Sequence, residues 1–127
     1  MAGILNNKVI KANKQAMPAE AIQAASYNNK EALANLFDQG IAIDCTADMF
    51  MRGPFLTREE GINIKQATPF MAACAHGHLE LAKWLAERSP LRSIHYANED
   101  GYNAAHVSAY NGYSNIVQYL VLHHDSA

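Results

Sequence analysis

The sequence predicts an all-α solenoid of stacked helix-turn-helix units with short hairpin-like loops. Three observations carry the prediction. The stretch from Asn63 to Leu85 aligns without gaps on the stretch from Asn98 to Leu120, so that Gly112 falls 35 positions after Gly77. Each copy is punctuated by residues that start and stop helices. Each copy also ends in a segment whose apolar residues recur at helical spacing. A fixed period of this size marks a repeat array, in which one helix pair cannot bury its apolar face and about three must stack.

The elements follow in order. Residues 1–17 read as an N-terminal capping helix. Asn6, Asn7, Lys8, Lys11, Asn13 and Lys14 interrupt Ile4, Leu5, Val9 and Ile10, as suits a terminal unit with one wet face. Residues 18–44 read as repeat 1, a weaker copy through Ala24-Ala25-Ser26-Tyr27-Asn28-Asn29-Lys30-Glu31 to Gly40. Here Asn28 takes the place of Gly77, and asparagine is the next residue after glycine to tolerate a left-handed backbone. Asn28 precedes Gly77 by 49 positions, so the surplus over the period falls in residues 45–61, a long inter-repeat loop.

Residues 62–97 read as repeat 2. Thr68 is a natural N-cap and Pro69 suits the first helical position, where no amide hydrogen is needed. Ala72, Ala73 and Ala75 let this first helix lie close to its neighbours, and Gly77 ends it in the left-handed conformation. The second helix, Leu79 to Arg88, sets Leu81, Ala82 and Leu85 on one face, and Pro90 stops it. Residues 98–127 read as repeat 3, where Ile116, Val117 and Leu120 repeat that face.

These motifs resemble the ankyrin repeat family. Thr68-Pro69-Phe70, Ala73, Gly77-His78-Leu79-Glu80-Leu81 and Lys83 follow the pattern Thr-Pro-Leu-His…Ala-Ala…Gly-His-Leu-Glu-Val-Val-Lys. Asp100-Gly101, His106, Ala109, Gly112 and Ile116-Val117 match it in the last unit, and Ala24-Ala25, Glu31 and Gly40…Ile43-Asp44 in the first. The likeness runs from about Pro18 to Leu122. Met71 stands where the family prefers histidine, Gln66 where it prefers glycine, and Asn103-Ala104 where it prefers Thr-Pro. Such losses are expected to loosen the return hairpins and leave the architecture intact.

Composition narrows the function. Of 127 residues, 50% are hydrophobic and 17% charged, which favours one domain with a real core over a disordered chain. A net charge of −2 argues against a sequence-independent grip on nucleic acid. No apolar run reaches the roughly 20 residues of a membrane span. The start lacks the basic and apolar regions of a secretory signal, and two cysteines, Cys45 and Cys74, suit a reducing, cytoplasmic setting.

Catalytic and metal readings find little support. Cys74, His76 and His78 alternate, but residues two apart on a helix point roughly 200° apart, and zinc wants about four convergent ligands. The resemblance makes His78 and His106 structural. His123-His124 suits a helix terminus, where a cation complements the dipole. Glu59 and Glu60, being adjacent, would not converge. Neither a glycine-rich phosphate loop nor a Gly-x-Ser-x-Gly motif is present. The expectation is no enzyme, no cofactor and no metal.

The resemblance implies a protein partner engaging the hairpin tips and the exposed side of each first helix. On that basis repeat 3 offers Glu99, Asp100, Tyr102, Tyr110 and Asn111. Repeat 2 offers Ile64, Lys65, Ala67, Ala75 and His76; repeat 1 offers Ser26 and Tyr27. Tyrosines at variable sites are frequent interface anchors, and local packing is the competing explanation. In residues 45–61, Met49, Phe50, Met51, Phe55 and Leu56 are too apolar for an idle loop. Either they meet a partner, Phe50 foremost, or Phe50 and Phe55 fold back as a satellite core.

The leading expectation is therefore a noncatalytic protein–protein interaction module. Two others stand beside it. The chain could be the targeting segment of a larger enzyme or of an injected bacterial effector working in a host cytosol, since the uncapped carboxyl end suggests a fragment or an array with further repeats. It could also self-associate through the last helix, with Tyr119 and Leu122 at the contact.

Overall fold

Three helix pairs account for most of the described residues. The computed structural model describes residues 17–51, 61–88 and 94–123. The expected capping helix therefore lies outside the described residues save for Met17, as do Pro90, Phe55, Leu56, Glu59, Glu60 and His124. The pairs are α1 (Pro18–Ser26) with α2 (Lys30–Asp38), α3 (Pro69–Ala75) with α4 (Leu79–Arg88), and α5 (Ala104–Tyr110) with α6 (Ser114–His123).

Local chemistry sets their ends. Thr68 Oγ1 accepts from the Met71 amide at 3.1 Å, and Asn103 Oδ1 accepts from the His106 amide at 2.9 Å. Each thereby satisfies a donor that a helix start leaves open. Asparagine thus replaces the family's threonine without loss of the cap. The inner helices end alike: the amides of Asn29, His78 and Tyr113 donate back to Ala24, Ala73 and Ser108. The residue before each donor is left-handed, with φ of 60° at Asn28, 80° at Gly77 and 79° at Gly112.

The first helices form the inner layer. All seven residues of α3 are buried, because it lies between α1 and α5. The alanines permit that approach, and Met71, fully buried, fills with apolar volume the place where the family has histidine. Side chains also staple one unit to the next. His78 Nε2 lies 2.8 Å from the Ser26 carbonyl oxygen, and Asn111 Nδ2 donates to the Ala75 carbonyl at 2.7 Å. Ser26 and Ala75 are the last residues of their inner helices, where carbonyls lack intrahelical partners.

The outer layer adds aromatic contacts. Trp84 stacks on Phe37 with centroids 6.2 Å apart and meets the cationic groups of Lys30 and Arg88. Its counterpart Tyr119 meets Lys83 and His123. Leu81, Ala82, Leu85, Ile116 and Leu120 point inward as their spacing predicts.

One element departs from the all-helical expectation. Residues 45–61, read as a loop, begin with strand β1 (Ala47–Met51), which pairs antiparallel with β2 (Ile62–Ala67). Partners are Met49 with Ile64, Phe50 with Asn63 and Met51 with Ile62. Strand alternation then sorts the apolar residues. Met49, Met51, Ile64 and Ala67 go inward, while Phe50 points out and lies across Gly61, where a Cβ would collide with its ring. The two methionines thus join the core that the helices share, while Phe50 stays outside it. The ladder slips between Ala47 and Met49, a bulge at which Gln66 takes φ 55°.

Candidate partner-binding face

The inner helices and the strands place the sequence-predicted residues in three groups. The first surrounds a cleft of about 250 Å³, open to solvent, between α1 and β1. Tyr27, Phe50 and His76 line it together with Ile22, Gln23, Asp48 and Met49. Tyr27, one residue past α1, is 75% exposed, and Phe50 is 54% exposed. His76 closes α3; its Nδ1 lies 2.8 Å from the Ala72 carbonyl oxygen, and its ring stacks on His78 at 6.4 Å.

The second group is the turn before α5. Asn98, nearly buried, accepts at Oδ1 from the amides of Asp100 and Tyr102 and donates from Nδ2 to the Lys65 carbonyl at 2.7 Å. This one side chain ties the turn to β2, leaving Glu99, Asp100 and the Lys65 side chain exposed. Tyr102 is half-buried, with its ring edge-on to His106 at 6.3 Å. Tyr96 adds a second tie, donating from its hydroxyl to the Gln66 carbonyl at 2.6 Å.

The third group is the end of α5. Tyr110 is 39% exposed, while Asn111 is half-buried and engaged with Ala75. Asn111 Oδ1 is buried without a hydrogen-bond partner.

Three expectations fail on burial. Ile64 and Ala67 occupy inward positions of β2 and are fully buried, and Ala75 packs between helices at 1% exposure. None of the three can meet a partner without unfolding. The sequence in turn gave no hint of Asp48, Ile22 or Gln23 as cleft residues. Asp48-Met49-Phe50-Met51 lacks a polar–apolar alternation, so no periodicity marked Asp48 and Phe50 as the outward residues of a strand.

Burial, with Asp44 as a second cause, pushes the Cys45 thiol up to about 11, and burial alone pushes Cys74 up as well. Neither is a ready nucleophile near neutral pH. Among the described residues, no three His, Cys, Asp or Glu side chains converge as metal ligands. Also among them, no helix is long and apolar enough to cross a membrane.

Comparison with known proteins agrees with the geometry. No curated protein matches the chain. The family model for ankyrin repeats in three copies matches residues 21–127, and such repeats are generally protein–protein interaction modules. With three equivalent helix ends, two inter-repeat staples and that match, the chain belongs to the ankyrin repeat family.

Proposed function

We propose that this chain is a noncatalytic protein–protein interaction module, which presents loop and inner-face side chains on a stiff ankyrin scaffold. The observation that carries the reading is the contrast on one face. Tyr27, Phe50 and Tyr110 stand exposed, although most of the apolar residues of the adjoining α1, β1 and α5 are buried. Solvent-facing aromatics on a pre-ordered frame bind with little ordering cost. A reducing, cytoplasmic compartment suits the two free thiols.

The test is affinity capture with the intact chain beside a Tyr102→Ala/Tyr110→Ala variant, with circular dichroism showing both folded. Specific partners are expected to be lost from the variant. Equal recovery of every partner would argue against this surface.

A second reading has its own observation. Val121 and Leu122 on α6 are 66% and 76% exposed, which supports self-association through the last helix. Light scattering over a concentration series tests it, and a monomer throughout would dispose of it.

A further inference from the structure

Asn111-Gly112 is the one Asn-Gly pair in the sequence. Such a pair can react with itself. The amide nitrogen of the second residue attacks the side-chain carbon of the first, and glycine, having no Cβ, leaves the approach open. Here the pair caps the end of α5, in the same residue that ties repeat 3 to repeat 2. Both reacting groups are engaged in the folded chain. The Gly112 amide, the nucleophile, donates to the Ala109 carbonyl at 3.0 Å. Asn111 Nδ2, the leaving group, donates to the Ala75 carbonyl at 2.7 Å. Reaction therefore requires the end of α5 to open, and the outermost of the described repeats is where local opening is cheapest.

The surroundings also decide what the product can do. An aspartate has no amide donor, so an oxygen would face the Ala75 carbonyl with no hydrogen between two acceptors. Its other oxygen would take the place of Oδ1, which is buried without a hydrogen-bond partner among the described residues. A charge is costlier there than a neutral amide. We propose that Asn111 is a self-modification site, deamidated when the end of repeat 3 opens and thereafter unable to staple it to repeat 2. Hydroxide takes the Gly112 amide proton, the nitrogen bonds to Asn111 Cγ, and the Cγ–Nδ2 bond breaks. Nδ2 takes a proton from water and leaves as ammonia. A second water opens the cyclic imide to aspartate or to its isomer, whose main chain runs through the side-chain carboxyl. Water is the sole co-reactant, and the inference goes beyond the interaction reading without depending on it.

The test ages the full chain in mildly alkaline buffer over a series of urea concentrations that spans the unfolding midpoint. Peptide mass spectrometry follows each asparagine. Above the midpoint Asn111 should deamidate faster than any other asparagine. In the folded chain it should still react, but at least about tenfold more slowly, with the rate rising as urea approaches the midpoint. Gly112→Ala is aged in parallel. Its Cβ hinders ring closure, so Asn111 should stay intact in it.

The deamidated form, separated from the intact chain by its added negative charge, is then compared with it by hydrogen exchange in the absence of urea. Amides of α5 and α6 should exchange about five- to thirtyfold faster in the deamidated form, the scale of one lost buried hydrogen bond. Those of α1 should change least, since α1 packs on α3 and not on the altered unit. Equal rates at Asn111 in the folded and unfolded chains, no reaction in the folded chain, or another asparagine reacting first in urea would each overturn the proposal. So would undiminished reaction in Gly112→Ala, or unchanged exchange in the deamidated form. No partner enters these measurements, so their failure is distinct from failure of the capture experiment.

Discussion

Repeats 2 and 3 share one pattern and differ in how far equivalent positions are exposed. Positions facing inward within a unit are buried in both: Leu81 and Ile116 are 3% and 0% exposed, Leu85 and Leu120 0% and 4%. Other equivalent positions diverge. Ala86 is 3% exposed and its counterpart Val121 66%; Ala75 is 1% exposed and Tyr110 39%. The period therefore sets helix geometry and intra-unit packing, whereas the neighbour decides the rest. Stability in such arrays is a sum of unit and interface contributions, and this pair of units separates the two.

The largest break in the comparison should come from one charge placed at equivalent positions. Ala86→Glu puts a carboxylate into a closed interface, with an expected loss of about 3–5 kcal/mol or failure to fold. Val121→Glu meets water and should change stability by less than about 0.5 kcal/mol. Urea unfolding of the two variants measures both. Equal effects would mean that the face beyond repeat 3 is not open in solution. Where the chain self-associates, Val121→Glu should also return it to monomer.

A second pair tests the neighbour through the backbone. Gly77 and Gly112 have nearly the same positive φ, so alanine costs about 1 kcal/mol at each from conformation alone. Only at Gly77 does a new Cβ meet something, the Tyr113 ring of the next unit at 2.8 Å. Gly77→Ala should thus cost about 2 kcal/mol in all, because the ring must shift out of its packing. Gly112→Ala should stay near 1 kcal/mol. Thermal melts distinguish them, and Gly77→Ala/Tyr113→Ala should recover the steric part.

Asn111 sharpens the contrast between scaffold and surface. It was expected to meet a partner, yet its amide staples Ala75. Asn111→Ala should cost about 1 kcal/mol, the usual net worth of one such bond. Partner capture by the folded variant should be unchanged.

What the sequence made legible was whatever depends on neighbours along the chain. Thr68, Pro69, Asn28, Gly77 and Gly112 act through caps and left-handed turns within a few residues of themselves, so their identity suffices. Ile64 was misplaced because its exposure depends on strand register, and β2 pairs with a segment read as loop. The inward residues of β1 were opaque for the same reason: the apolar run Met49-Phe50-Met51 has no assignable inside until a partner strand fixes the alternation. The cleft was illegible as well, since Asp48 and Tyr27 meet only through the packing of β1 on α1. The staple at Asn111 depends on a residue 36 positions away.

Gln66 carries a small predicted effect and joins the local to the long-range. Sequence alone marks it as a departure from the family's glycine, and the bulge shows why glycine is preferred there, for Gln66 holds φ 55°. A side chain in that region costs roughly 1–2 kcal/mol. The strain persists because both polar backbone atoms are engaged, the amide by Asp48 and the carbonyl by Tyr96. Gln66→Gly should relieve the strain and keep both bonds, which use only the main chain of residue 66. Glycine also raises the entropy of the unfolded chain, which offsets part of the gain. The net result should be stabilisation by about 0.5–1 kcal/mol, read as a higher urea midpoint with unchanged slope. In a Tyr96→Phe background the carbonyl tie is gone and the residue can relax, so the same substitution should gain less. An equal gain in both backgrounds would show that Tyr96 does not help to hold the bulge.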